Sequence, residues 1–208
     1  MDLNTWIAFF IASCLISVSP GPGAISCMTA GMRYGWRVAV WNIVGLMVGL
    51  SVIVAIIGAG VGALLMASST AFTVLKLIGA AYLIYLGIQQ WRAPPRLLAG
   101  EPGEATATPR ELFLRGLFVN LTNPKGIAFL LAVLPQFIDP TKPLFAQYAI
   151  CAVTLSLTDF VIMNGYTAVA ANMLHWLREE RHIRAMNRIF GGLFVGAGVL
   201  LMTFKRSV

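Results

Sequence analysis

The sequence predicts an all-α polytopic membrane protein with about six transmembrane helices, arranged as two inverted three-helix repeats. Hydrophobic residues make up 58% of the chain and charged residues only 11%, and the mean hydropathy is +0.80. No charged side chain lies between Arg37 and Lys76, a stretch that could cross about 30 Å of hydrocarbon nearly twice. Two proline-containing breaks, Ser19-Pro20-Gly21-Pro22 and Thr122-Asn123-Pro124-Lys125, interrupt apolar sequence about 104 residues apart. Matched breaks of this kind are typical of transporters built from repeats.

Six apolar segments give the predicted helices their order. They are Thr5–Met32, Val38–Met66, Ala71–Trp91, Leu112–Phe137, Leu144–Ala171 and Ile189–Phe204. The first segment is interrupted at Pro20 and the fourth at Pro124. The prolines and glycines of residues 92–110 predict a flexible cytoplasmic linker, so the chain divides into a first repeat, 1–91, and a second repeat, 111–208. Three spans in each repeat is an odd number, and the repeats are therefore expected to be inverted.

Each break has the residues of a helix N-terminus. Ser19 before Pro20, and Asn123 before Pro124, match an N-cap oxygen followed by proline at the first helical position. A new helix start exposes unpaired N–H groups and the positive end of the helix dipole, which suits a carboxylate at bilayer depth. The alternative is that both prolines only kink their helices. The matched pair favours a functional site that includes Pro20, Gly21, Pro22, Asn123 and Pro124.

Asp159 is the only one of the eight acidic residues that lies well inside an apolar segment. A carboxylate at mid-bilayer costs roughly 2.5–3.5 kcal/mol, so such a residue normally faces a cavity, pairs with a cation or takes up a proton. Two functional roles follow: Asp159 binds a substrate ammonium, or it carries a coupling proton. The alternative is a structural hydrogen bond to a neighbouring helix.

Three further polar residues are candidates for the same site. Lys125 directly follows the second break and could pair with Asp159 or bind a substrate carboxylate, although it could also cap a loop. Asn42 lies in the second apolar segment, and Tyr166 lies two helical turns beyond Asp159 on about the same face. Taken alone, Asn42 and Tyr166 are more often packing hydrogen bonds than ligands.

The net charge of +7 is explained by orientation in a membrane and not by binding to nucleic acid. In the six-span arrangement, one face carries Arg33, Arg37, Arg92, Arg96, Arg110, Arg115, Arg178, Arg181, Arg184 and Arg188. The other face carries Lys142, Lys205 and Arg206. The face rich in arginine is expected to be cytoplasmic, which places both termini outside. If one interrupted segment is re-entrant, the parity changes and one terminus moves to the other side.

Motifs for enzymatic chemistry are absent from the sequence. Cys14, Cys27 and Cys151 form no Cys-x-x-Cys pair, and His175 and His182 form no His-Glu-x-x-His motif. Neither a Gly-x-Ser-x-Gly motif nor a Walker loop occurs. The sequence therefore predicts neither an enzyme, nor a metal site, nor a bound cofactor.

Several stretches, in order along most of the chain, resemble one known family. They are Ser19-Pro20-Gly21-Pro22-Gly23, Gly31-Met32-Arg33-Tyr34-Gly35-Trp36-Arg37, Ala80-Ala81-Tyr82-Leu83-Ile84-Tyr85-Leu86-Gly87, Asn123-Pro124-Lys125-Gly126 and Pro135-Gln136-Phe137. This combination resembles the lysine exporter (LysE/RhtB) family, specifically its RhtB-type branch of homoserine, threonine and neutral amino-acid exporters.

The resemblance implies an inner-membrane exporter of small amino acids or related metabolites, driven by proton antiport and built from inverted three-helix repeats. By the family pattern, the transport centre includes Pro20, Gly21, Pro22, Asn123, Pro124 and Lys125. The implied partners are the amino acid, protons and the lipid bilayer, and the sequence leaves open whether copies of the chain form a homo-oligomer. A passive channel or an accessory membrane subunit is the alternative, because the same broken helices could line a pore.

Overall fold

A computed structural model describes residues 1–67, 69–94, 106–172 and 179–203. Within these ranges all regular structure is helical, which confirms the all-α prediction. The elements are α1 (Leu3–Val18), α2 (Pro22–Tyr34), α3 (Trp36–Ala67), α4 (Ser69–Arg92), α5 (Pro109–Leu121), α6 (Pro124–Val133), a 3₁₀ turn (Leu134–Phe137), α7 (Leu144–Asn172) and α8 (Glu180–Thr203). Most of the predicted linker, residues 95–105, lies outside the described residues.

Both predicted breaks are present as sharp bends between short helices. The chain turns by 56° between α1 and α2, and by 53° between α5 and the unit formed by α6 and the 3₁₀ turn. Residues 36–60 of α3 and 144–168 of α7 are each long and apolar enough to cross a membrane. The described helices supply up to four spans by length and composition if each bent pair is one span. The prediction of six spans goes beyond this criterion.

The surface of the bundle is apolar, as expected for a protein surrounded by lipid. Large apolar side chains such as Ile56, Ile78 and Val161 are more than 60% exposed. Polar side chains such as Asn42 and Thr167 are instead fully buried. Hydrocarbon does not penalise exposed apolar groups, whereas it leaves polar groups without hydrogen-bond partners.

Close helix crossings hold the bundle together where glycine replaces a side chain. α3 packs against α5 and α7, and α4 packs against α8 and α6. A Cβ at Gly45 would lie 2.0 Å from the carbonyl oxygen of Phe113, and one at Gly116 would lie 2.0 Å from that of Asn42. Only glycine allows the backbones of α3 and α5 to approach this closely.

The last helix begins earlier than the sequence predicted. The apolar segment was expected to start at Ile189, but α8 starts at Glu180. Its first turns are amphipathic: Ile183 and Asn187 are buried, while Arg184 is exposed. Three arginines in these turns lower the local hydropathy, so a search for continuous apolar sequence places the start of the helix too late.

Candidate functional site

The first break has a different register from the one predicted. Ser19 is the C-cap of α1, Gly21 is the N-cap of α2, and Pro22 is the first residue of α2. The prediction that Ser19 caps the second helix with Pro20 at its start was therefore wrong. The Pro-Gly-Pro sequence offers two prolines that suit a helix start, and the Ser19 hydroxyl is bonded elsewhere, to Lys125. The N-terminus of α2 has no side-chain cap.

The second break has the predicted geometry. Asn123 is the N-cap of α6, and its side-chain oxygen accepts a hydrogen bond of 3.1 Å from the backbone N–H of Lys125. Pro124 occupies the first helical position. An asparagine oxygen satisfies one of the N–H groups that a helix start leaves unpaired, and proline lacks one of these groups altogether.

The side chain of Lys125 joins the two breaks. Its ammonium donates to the Ser19 hydroxyl at 2.6 Å, to the Ser19 carbonyl at 3.1 Å and to the Pro20 carbonyl at 3.4 Å. The same nitrogen lies 4.9 Å from the centre of the Phe194 ring. The ammonium of this lysine, which belongs to the second break, thus contacts the C-terminal end of α1 at the first break. This is the negative end of the helix dipole.

Asp159 lies deeper, next to a small cavity of about 70 Å³. Ser17 of α1 lies beside it on the wall of this cavity, and Lys125 lines the same cavity. The ion pairs found among the described residues do not include Asp159 or Lys125. The cavity therefore has a carboxyl group on one wall and an ammonium group on another, and the ammonium donates to one hydroxyl and two carbonyl oxygens.

The first turns of both inner half-helices also face the small cavity. Gly23 and Ala24 of α2 line it, as does Gly126 of α6. The backbone N–H groups of these residues have no partner within their own helices, because they belong to the first turn. The cavity thus combines two positive helix ends, which suit a small anionic group, with one buried acid, which tolerates an anion beside it only when it is protonated.

A larger cavity of about 700 Å³ adjoins the breaks on the side where α4 ends and α8 begins. It lies between α2 and α8, and Arg92 and Asn187 line it. Six of the predicted site residues line it together: Pro20, Gly21, Pro22, Asn123, Pro124 and Lys125. Gly21, Asn123 and Lys125 line both cavities, so the small cavity adjoins the large one at these residues.

A third, apolar cavity of about 590 Å³ lies on the other side of the breaks. Phe194 is one of its walls and also lies under the Lys125 ammonium. Phe129 lines both this cavity and the small one. Lys125 and these two aromatic rings therefore lie between the space on one side of the breaks and the space on the other.

The last two predicted residues lie away from the cavities just described. The Tyr166 hydroxyl donates to the carbonyl of Val18, at the end of α1. Asn42 is fully buried; it accepts from the Ser26 hydroxyl at 3.1 Å and donates to the Cys27 sulfur at 3.4 Å. Tyr166 therefore belongs to the first break, whereas Asn42 joins α3 to α2. A role in transport stays a prediction for both.

Reasoning from sequence missed Ser17 and Phe194, and it gave Ser19 a different role. Ser17 lies beside Asp159 on the wall of the small cavity. Ser19 contacts Lys125, and Phe194 contacts Lys125 from α8. A signal for Ser17 was available, because Ser13 and Ser17 are four residues apart and make a polar stripe on one face of an apolar helix. Phe194 had no such signal, since it resembles any other aromatic residue in an apolar segment.

Comparison with known proteins agrees with these observations. The family described as LysE type translocator matches residues 14–205. The chain belongs to the LysE-type translocator family. It is therefore an integral membrane protein, which accounts for its apolar surface, and it is a member of a family of translocators.

Similar proteins cover its whole length. A homoserine/homoserine lactone efflux protein of Salmonella typhimurium (strain LT2) is 44% identical over 207 residues, which are 100% of both chains. An uncharacterized membrane protein of Vibrio cholerae is 40% identical over 99% of this chain and 100% of its own. A leucine efflux protein of Salmonella choleraesuis is 27% identical over 98% of this chain and 96% of its own. No solved structure matches the chain.

Proposed function

We propose that this LysE-family protein is a secondary transporter of the inner membrane that exports small amino acids or their derivatives by proton antiport. The observation that carries the proposal is the meeting of the two breaks at Lys125, next to a cavity that also holds Asp159. Relatives named for efflux of homoserine, homoserine lactone and leucine support a substrate of this size and chemistry. All three compounds carry a primary amino group.

We propose two inverted three-helix repeats, residues 1–91 and 111–208, which together make six spans. Reciprocal contacts between α4 and α8 support this architecture. A Cβ at Gly87 would lie 2.6 Å from the Gly191 carbonyl and would meet Val195, and one at Gly191 would lie 2.7 Å from the Gly87 carbonyl and would meet Trp91. Gly191 follows Gly87, and Val195 follows Trp91, by the same 104 residues that separate Pro20 from Pro124. Such reciprocity is expected at a pseudo-two-fold axis.

The two repeats differ at the contact that opens or closes the site. α4 touches α6, where a Cβ at Gly79 would lie 2.5 Å from that of Ala132. The residues that correspond to Gly79 and Ala132 by the same offset are Ile183 in α8 and Met28 in α2, and both line the large cavity. We propose that transport closes α2 onto α8 while α6 parts from α4, so that the site opens to the other side.

In this mechanism the substrate enters from the large cavity. Arg92 and the helix ends at the breaks attract its carboxylate by their positive charge. The carboxylate then binds the first-turn N–H groups of α2 and α6 at the small cavity. An amino acid suits this place because its charged groups are small and the two cavities offer both polar and apolar side chains around them.

Asp159 is proposed to carry the coupling proton. It lines the small cavity, where an ionised carboxylate is costly unless it is paired, and the ion pairs of the described residues leave it out. Uptake of a proton from one side and its release to the other would couple the motion of the repeats to the proton gradient. The role requires no further cofactor.

The test is efflux of labelled homoserine, homoserine lactone, threonine and leucine from proteoliposomes under an imposed pH gradient. Wild-type protein should show saturable flux of one or a few of these compounds, increased by the gradient. Asp159→Asn should abolish the response to pH. Asp139→Asn, which changes an exposed acid in a loop, is the matched control and should respond like the wild type.

Each other outcome identifies a different function. Flux that does not saturate and ignores the gradient would indicate a passive channel. Absence of flux that is restored by a partner protein would indicate an accessory subunit. Saturable flux that responds equally to pH in Asp159→Asn would show that Asp159 does not carry the coupling proton, while the protein would still be an exporter.

A further inference from the structure

We propose that the C-terminal end of α1 is the binding site for the substrate's primary ammonium group, and that Lys125 occupies this site until the substrate displaces it. The inference rests on the proposed function, because it assigns one end of the substrate to one part of the same site. It concerns the carbonyl oxygens of Ser19 and Pro20 and the hydroxyl of Ser19, here called the ammonium cage.

The cage has the chemistry that a primary ammonium requires. A primary ammonium has three N–H donors and no acceptor. The cage offers three oxygens, at 2.6, 3.1 and 3.4 Å from the Lys125 nitrogen. The C-terminal end of α1 adds the negative end of a helix dipole, and Phe194 adds the face of an aromatic ring 4.9 Å away. The three oxygens of the cage belong to carbonyl and hydroxyl groups. The cage therefore holds an ammonium by hydrogen bonds and not by an ion pair.

The position of the cage distinguishes it from an ordinary helix cap. Lys125 lies on the walls of both the large and the small cavity, so its ammonium is beside the space that a substrate would enter. Its stem passes over Gly21, whose missing Cβ would lie 3.5 Å from the Lys125 Cδ. A flexible side chain over a glycine can move aside without shifting the backbone.

The cage also fits the remaining half of an amino acid. The chain leaves α1 at Ser19 and enters α2 at Pro22, so a negative helix end and a positive helix end are separated by only a few residues. The ammonium on the α1 end and the carboxylate on the α2 end would place a zwitterion across the break. An amine without a free carboxylate would still bind by its ammonium.

Displacement makes Lys125 an internal competitor. The apparent affinity for an amine is the intrinsic affinity of the cage multiplied by the fraction of molecules in which Lys125 is out of the cage. Removal of the lysine ammonium should therefore strengthen the binding of amines, whereas a lysine that binds the substrate carboxylate would have the opposite effect.

The experiment is calorimetric titration of purified protein in detergent with n-butylammonium, which has no carboxylate, and with butyrate, which has no ammonium. Lys125→Ala should bind n-butylammonium about tenfold more tightly than the wild type, because the internal competitor is gone. Butyrate should not gain. Lys142→Ala removes an exposed lysine from a loop and is the control for the change in charge.

An unchanged or weaker affinity of Lys125→Ala for n-butylammonium would overturn the inference. Weaker binding of butyrate, with no change for the amine, would assign Lys125 to the carboxylate instead. Lys125→Met keeps the stem over Gly21 and carries the test if the alanine variant does not fold. It should still gain in amine affinity, by about threefold, since the oxygens have lost their occupant while the stem fills part of the space.

This titration is independent of transport. A gain in amine affinity together with no amino-acid flux by the wild type would contradict the proposed function and support the cage. Saturable flux together with no gain would contradict the cage and leave the exporter standing.

Discussion

The two breaks look alike in sequence but differ in how their polar groups are satisfied. At the second break, Asn123 caps α6 with its own side chain. At the first, Gly21 offers no cap to α2, and the oxygens at the end of α1 are bonded to a lysine from the other half of the chain. One break is complete by itself, while the other depends on its counterpart. The two breaks are therefore linked through Lys125, and a change at either break is expected to affect both.

The same asymmetry extends to the helices around the breaks. α6 of the second half is closed against α4, whereas α2 of the first half is separated from α8 by the large cavity. The proposed repeats relate the closed pair, α4 and α6, to the open pair, α8 and α2, and a carrier open to one side requires such a difference. The predictions below test this difference, beginning with the largest effect.

Closing the gap between α2 and α8 should stop transport. Met28→Cys and Ile183→Cys, in a background without Cys14, Cys27 and Cys151, place one thiol on each side of the large cavity. A disulfide requires Cα atoms within about 7 Å, so it should form only when α2 closes onto α8. Oxidation should reduce flux in proteoliposomes to background, and reduction should restore it.

The single-cysteine variants are the control, because they cannot form this bond and should keep their flux in oxidant. A double variant that forms no disulfide even while substrate is being transported would contradict the correspondence of Met28 and Ile183 with Ala132 and Gly79. This result would mean that the gap between α2 and α8 stays open during transport.

The comparison of the breaks also separates the features that could be predicted from sequence from those that could not. The cap at Asn123 was predictable because it is local: the oxygen bonds an N–H two residues later. The role of Ser19 was not predictable, because its partner, Lys125, lies 106 residues away. Local pattern favoured Ser19 as an N-cap, and a tertiary contact took its hydroxyl instead.

The helices show the same division. The apolar segments predicted α3, α4 and α7 to within a few residues, because continuous hydrophobicity marks a span. The start of α8 was missed, since its first turns are amphipathic. Six of the nine predicted site residues line one cavity, and Asp159 lines the cavity that adjoins it. Like Asp159, Asn42 is a polar residue in an apolar segment. Its side chain, however, is hydrogen-bonded between α3 and α2.

The difference in capping predicts a difference in energetic coupling to Lys125. Ser19→Ala and Lys125→Met should be coupled by roughly 1.5–3 kcal/mol in a double-mutant cycle, because each removes the same hydrogen bond to a charged group. Asn123→Ala should cost about 1 kcal/mol through loss of the cap. It should be additive with Lys125→Met, since the Asn123 side chain accepts from the backbone N–H of Lys125 and does not contact its ammonium.

Thermal unfolding in detergent measures each variant. The cycle with Asn123 is the control for the cycle with Ser19, because both contain Lys125→Met. Equal coupling energies in the two cycles would mean that the polar groups of both breaks depend on Lys125 to the same extent. The proposed difference between the breaks would then be wrong.

The smallest effect is expected at polar groups that lie outside both breaks. Asp139, in the loop before α7, accepts hydrogen bonds from the Thr141 hydroxyl at 2.6 Å and from the Thr141 N–H at 3.0 Å. These bonds hold the pKa of its carboxyl below the usual value of 3.8. Its contribution to stability is therefore fully present above pH 3.8 and is lost as the pH falls through the lower pKa of the folded protein.

Asp139→Asn should accordingly lower the thermal midpoint by the same small amount at every pH from 7 to 5, and the difference from wild type should shrink only below about pH 4. Asn123→Ala is the contrasting variant, because an amide cap does not titrate and its loss should cost the same throughout this range. A difference between Asp139→Asn and wild type that already changes between pH 7 and pH 5 would show that Asp139 interacts with a group that titrates there. The carboxyl would then have a further partner beside the Thr141 hydroxyl, the Thr141 N–H and the Lys142 ammonium, which lies 3.4 Å from it.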